Sequence, residues 1–94
     1  MLIDIARKIY PIGTKVGYRY RLDQPYMLGT VIGHQRGLYG EAAYPGDRKQ
    51  FYIEIRNWDN PDYTTTFDPT GGFVKVYYTD DAIYRAQLRG ELIL

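Results

Sequence analysis

The sequence predicts an all-β fold, a small five-stranded barrel with a short helix at either end, on three observations. Within residues 14–22, Val16, Tyr18, Tyr20 and Leu22 are apolar or aromatic, while Lys15, Arg19 and Arg21 are cationic. Successive side chains of a strand point to opposite faces, so this run writes one buried face and one wet, basic face. Further runs rich in β-branched and aromatic residues follow, divided by clusters of Gly, Pro, Asn and Asp. Finally, the charges near the C-terminus are arranged as a helix requires.

In order along the chain, Leu2, Ile5 and Ile9 recur at helical spacing and Pro11 closes the pattern, since a proline pushes the residue before it out of the α region. The run Leu2-Ile3-Asp4-Ile5 also reads as a strand. The first strand covers 14–22 and ends at the turn Asp23-Gln24-Pro25. A second runs over 27–34 through Gly29-Thr30-Val31-Ile32-Gly33-His34. Residues 35–49 have no periodicity and carry Gly37, Gly40, Pro45 and Gly46, a long loop of the kind that is either functional or a plain connector.

The third strand, 50–58, sets Phe51, Ile53 and Ile55 on one face and Tyr52, Glu54, Arg56 and Trp58 on the other. Asn57-Trp58-Asp59-Asn60-Pro61-Asp62 is dense turn chemistry, and residues 63–67 make a short fourth strand. After Asp68-Pro69-Thr70-Gly71-Gly72, a fifth strand over 73–78 groups Val74, Val76 and Tyr78 against Phe73, Lys75 and Tyr77. Thr79 or Asp80 then caps a helix over 81–89 with acids in its first turn, Arg85 and Arg89 in its last and Gly90 at C′. The apolar tail Leu92-Ile93-Leu94 needs a neighbour, as an added strand or an intermolecular contact. The expected core is Val16, Tyr18, Tyr20, Val31, Ile53, Ile55, Val74 and Val76.

At 94 residues the chain is one domain, 1–94, with the barrel over about 12–80 and the C-terminal helix over about 80–89. A net charge of +1 supplies no global field to attract nucleic acid or an anionic membrane, so any such attraction must be local. There is no cysteine, hence no disulfide, no thiol nucleophile and no cysteine-based metal site. No apolar run suits a signal peptide or a membrane span, which points to the cytoplasm. Eleven tyrosines against three Phe and one Trp are more than a core this size absorbs, so some should form contact surface.

The segments Gly13-Thr14-Lys15-Val16, Gly29-Thr30-Val31-Ile32-Gly33, Tyr52-Ile53-Glu54-Ile55 and Gly72-Phe73-Val74-Lys75-Val76-Tyr77 resemble the small SH3-like barrels of the Tudor and KOW groups. These open with a G-x-x-V strand, continue with a G-x-V/I-x-G strand and finish with a V-x-V/I strand that leads into a helical turn. The resemblance covers about 12–85 and implies a fold more than a function. Val74-Lys75-Val76-Tyr77 is also similar to the pore-lining V-Q-I-Y strand of type II dihydrofolate reductases, which would imply a four-subunit reductase. Lys75 replaces that family's glutamine, and four-fold repetition would crowd four ammonium groups at the symmetry axis.

No catalytic pattern is present: there is no nucleophile elbow, no P-loop and no zinc-protease motif, and His34 is the single histidine. Asp59, Asp62 and Asp68 do not match a calcium-loop spacing and read as turn residues. No enzyme activity, cofactor or metal is expected. The candidate binding residues are Trp58, Tyr52 and Tyr63 with Tyr39 and Tyr44 of the long loop, because Trp and Tyr are the usual anchors of protein interfaces. Arg19 and Arg21 add a basic strand face. The expected function is recognition of another macromolecule, a protein before a nucleic acid, by an adaptor, inhibitor or assembly component of the size found in bacteria and their phages. A nucleic-acid-binding barrel and the reductase-like enzyme are the alternatives.

Overall fold

The computed structural model describes residues 3–36, 51–69 and 71–93. The chain forms α1 (Ile3–Ile9), β1 (Lys15–Tyr18), β2 (Tyr26–Arg36), β3 (Phe51–Asn57), β4 (Thr64–Phe67), β5 (Val74–Val76), α2 (Asp80–Leu88) and β6 (Leu92–Ile93). All strands join one sheet in the order β4-β3-β2-β1-β5, with β6 paired to β2. The pairings are antiparallel except that of β2 with β6, which is parallel. The sheet does not close, and β4 and β5 end its main path among the described residues.

The sheet is nevertheless strongly curled. β1 and β4 are three strand spacings apart, about 14 Å in a flat sheet, yet the rings of Tyr18 and Phe67 meet with centroids at 5.5 Å. Curling is helped by a bulge in β2, where the register with β3 slips between Val31 and Gly33. The slip returns His34 to the face that Val31 occupies, and the ring Nε2–H donates to the Tyr10 carbonyl at 2.6 Å, fixing the end of α1 against β2.

The concave face carries the first core: Tyr10, Val16, Tyr18, Val31, Ile53, Ile55 and Val74, with Met27, Phe67 and Val76 packed at its margin. Gly29 belongs to it by absence. A Cβ there would collide with Ile55 Cγ2 and stand 2.9 Å from the Arg56 carbonyl, so only glycine lets β3 and the Tyr18 ring approach.

A second core lies on the opposite face: Tyr26, Leu28, Tyr77, Ile83, Ala86 and Leu92. This corrects the expectation that strand one presents an open basic face. Gly17 has no side chain, and Tyr26 and Tyr77 close over it so tightly that a Cβ would lie 2.8 Å from an atom of each. α2 then covers the tyrosines. Its N-cap Thr79 accepts the Ala82 amide at 3.0 Å. At the other end Gly90, at φ +73°, closes a Schellman motif with Gly90 N–H on Gln87 O and Glu91 N–H on Ala86 O. The sharp exit sends the tail back along β2, where Tyr26 N–H donates to Glu91 O at 2.8 Å and Leu92 pairs with Tyr26. β6 takes the side of β2 that β3 has vacated, so Leu92 is buried in the same chain.

Three local expectations differ from the structure. β1 stops at Tyr18, and residues 21–24 turn through a Gln24 N–H to Arg21 O bond. Tyr20 is consequently 50% exposed rather than core. Tyr78 is 84% exposed, because the chain leaves β5 after Val76 to enter the cap of α2. Of the 35–49 loop, Gln35 and Arg36 extend β2, and the rest lies outside the described residues.

Candidate functional site

The curl brings together, at the end of β1, aromatic residues that are distant in sequence. Tyr20 sits edge-on to Tyr18 at 6.3 Å and tilted against Phe67 at 5.2 Å. Its hydroxyl meets that of Tyr63 at 2.7 Å and lies 3.5 Å from Thr65 Oγ1. Tyr63 is itself 45% exposed. The pair thus shows wide ring surface to solvent while both rings are held.

The β3–β4 turn that delivers Tyr63 is fastened to the core by Asn57. Its Oδ1 accepts the amides of Asp59 and Asn60 at 2.8 and 2.9 Å, a side-chain-closed turn, and its Nδ2 donates to the Tyr18 hydroxyl at 2.6 Å. Burial raises the phenol of Tyr18 above its ordinary value against the opposing Asn57 bond, and burial raises Tyr20 as well. Both hydroxyls therefore stay protonated well past neutrality.

Trp58 stands on the other flank of the same turn. It does not plug the core: it is 41% exposed, with its indole N–H on Thr30 Oγ1 at 2.7 Å and its backbone N–H on Leu28 O at 3.1 Å. Thr30 shares the Leu28 face of β2, so Trp58 and the Tyr20–Tyr63 pair straddle the turn from opposite sides. Tyr52 is half-buried at the far end of β3, about 20 Å from Trp58 by six residues of extended chain. The structure therefore brings Trp58 and Tyr63 to one end of the sheet and leaves Tyr52 at the other. Tyr39 and Tyr44 lie outside the described residues.

The cations of strand one do not form a row. Lys15 pairs with Asp80 of α2. Arg19 stacks on the Tyr26 ring at 4.3 Å and donates to Gly72 O at 3.2 Å and Gln24 O at 3.3 Å. It ties the β1–β2 loop to the turn before β5. Arg21 pairs with Asp23 at 2.7 Å, an exposed contact of little energetic weight. Arg19 is thus engaged in structure, and Arg21 stands at a loop tip.

Sequence reasoning missed Tyr20 and Tyr78 as surface residues. The available signal was turn chemistry: Asp23-Gln24-Pro25 lies too close behind Tyr20 for a strand to run to Leu22, and Thr79 caps a helix directly after Tyr78. Beside Tyr78 is a groove of about 740 Å³ between the end of α1 and the end of β5. Among the described residues, no helix is long and apolar enough to cross a membrane. Compared with known proteins, the chain matches no family model, no curated relative and no solved structure.

Proposed function

We propose that this chain is a non-enzymatic binding module that recognises a protein partner through the aromatic end of its sheet, and that its curled sheet is an SH3-like barrel in an open form. The observation that carries the functional reading is the Tyr20–Tyr63 pair, exposed yet locked by a 2.7 Å hydroxyl contact and by packing on Phe67. A surface aromatic already held in one rotamer loses little conformational entropy on binding, which is why such residues concentrate affinity at interfaces. Trp58, tethered by its indole N–H to Thr30, offers a second held ring on the other flank of the turn. A partner gripping the turn meets both. The barrel reading is supported by the curl, by the bulge in β2 and by the return of β5 to the side of β1.

The test is affinity capture from the native host with the tagged chain, read by mass spectrometry, and then titration of the captured partner. Trp58→Ala is expected to cost about 2 kcal/mol of binding, about thirtyfold in affinity, with the thermal melt little changed. A Tyr20→Ala/Tyr63→Ala pair should weaken the same complex. Retained affinity in both variants removes this surface from the reading, and unfolding of Trp58→Ala assigns the indole a structural role.

A further inference from the structure

We infer that the outer edge of β5 is a docking strand for an extended, acidic segment of another protein, seated in the trough that flanks that edge. The site is separate from the aromatic end, and the inference stands whether or not that end binds a partner.

The backbone supplies the first reason. β5 is an edge of the sheet among the described residues. Its ladder to β1 is made by Arg19 N–H on Phe73 O at 3.0 Å and Tyr77 N–H on Lys15 O at 2.9 Å. Peptide groups alternate in direction along an antiparallel strand, so Phe73, Lys75 and Tyr77 turn theirs toward β1, and Val74 and Val76 turn theirs outward. An added strand takes its affinity from such outward donors and acceptors and its specificity from pockets for alternate side chains.

The second reason is the shape beside that edge. A groove of about 740 Å³ is lined by Lys8, Ile9 and Pro11 at the end of α1, by the segment from Gly13 to Lys15 that enters β1, and by Val76 and Tyr78 at the end of β5. A second groove of about 340 Å³ shares Val76, Tyr77 and Tyr78 and runs on to Arg85 and Arg89 of α2. The two grooves share Val76, Tyr77 and the exposed Tyr78, and are read together as one trough.

Charge selects the occupant. Lys8, Lys15, Lys75, Arg85 and Arg89 line the two grooves, whereas Asp81 is the acid among the lining residues. Asp80 and Glu91 reach in from outside to pair with Lys15 and Lys75, Glu91 also takes Arg89 at 3.3 Å, and Asp81 pairs with Arg85 at 2.9 Å, so five cations meet three acids. Cations remain in excess in a protein whose net charge is only +1, so the surplus is local. A second copy of this chain would set these cations against their own kind. The apolar walls and the outward peptide groups suit a peptide better than a sugar–phosphate backbone. The segment that fits alternates apolar side chains, directed at Ile9, Pro11 and Val76, with carboxylates directed at Lys8 and at Arg85, whose exposed pair with Asp81 is made through Nε and is weak enough to be shared.

The test titrates short capped peptides into the isotopically labelled full chain and follows backbone amide shifts. The probes are an alternating Val/Glu peptide, its Val/Lys counterpart, the Val/Glu peptide N-methylated at every second residue in either phase, and a thymidine oligonucleotide. Saturable shifts centred on residues 74–78, Lys8 and Arg85 are expected with the Val/Glu peptide and with one phase only of its N-methylated forms, and a Lys8→Glu/Arg85→Glu pair should weaken them several-fold. Val76→Pro removes an outward N–H without removing a ladder bond and should abolish binding. Should that variant misfold, the N-methylated peptides test the same hydrogen bonds from the other side. The inference is overturned if the shifts fall elsewhere, if the Val/Lys or both N-methylated peptides bind equally well, or if the oligonucleotide binds the same amides more tightly. Self-association of the chain through β5, read by sedimentation, also overturns it.

Discussion

The two faces of the sheet are packed by different means. The concave face is filled by side chains that the strands themselves supply, Val16, Tyr18, Val31, Ile53, Ile55 and Val74, joined by Tyr10 from beyond α1. The other face is covered by segments that arrive from outside the meander. Ile83 and Ala86 come with α2 and Leu92 with the tail, and they close over Tyr26 and Tyr77 where Gly17 leaves room. The first core is sealed by hydrocarbon and buried phenol. The second is edged by a polar cluster in which Glu91 accepts from Lys75 Nζ at 2.8 Å, Tyr77 OH at 2.9 Å and Arg89 Nη2 at 3.3 Å. A core written by alternation needs only its strands in register. A core built by chain ends needs the helix stop, the turn at Gly90 and the tail pairing to succeed together.

The comparison predicts unequal sensitivity. Ile53→Ala, in the fully buried centre of the first core, is expected to lose about 2–5 kcal/mol toward the upper end, and Leu92→Ala to fall toward the lower end because a two-residue strand can settle into the space. Equal losses in chemical denaturation would make the two cores equal partners and break the distinction.

Gly17→Ala probes the second core from within. The new methyl would stand 2.8 Å from Tyr26 Cβ and from Tyr77 Cε2, so overpacking should cost about 1–3 kcal/mol, read as a lower denaturation midpoint at unchanged slope. A neutral result would show that the tyrosines part easily and that this face is loosely held.

The smallest effect is one of pH. The hydrogen bond from Lys75 holds the Glu91 carboxyl below its ordinary range, with burial opposing and Tyr77 adding to the effect. Because the folded-state value lies below the unfolded one, the stabilisation is present above the ordinary carboxylate value and is lost as pH falls through the folded value. The gap in thermal stability between the native chain and Glu91→Gln should therefore be full near neutrality and shrink on acidification below pH of about 4. A gap independent of pH would mean that Glu91 acts through packing and not through its charge.

How much of this was legible follows from the range of the interactions. Period-two alternation identified Ile53 and Ile55 as core, and the dipole-matched charges with Gly90 identified α2 and its stop, because side-chain direction and helix capping are properties of neighbouring residues. The same local reading set Tyr20 inside and Tyr78 with Val74 and Val76, since alternation does not report where a strand ends. The exposed tyrosine pair was hidden for a further reason: Tyr20 and Tyr63 are 43 residues apart, and only the curl sets one hydroxyl on the other.

Strand faces, turn positions and the helix stop were determined by the sequence by itself, because each rests on the stereochemistry of a few consecutive residues. Tertiary structure alone decided that the face behind Lys15 and Arg19 would be roofed by α2, that the tail would pair with β2, and that β5 would be left as an edge beside a basic trough. Those outcomes depend on which distant segments reach a given patch of the sheet first and bury it best. The physical reason is that burial is a property of the assembled surface, where glycines such as Gly17 and Gly29 matter for the side chains of others.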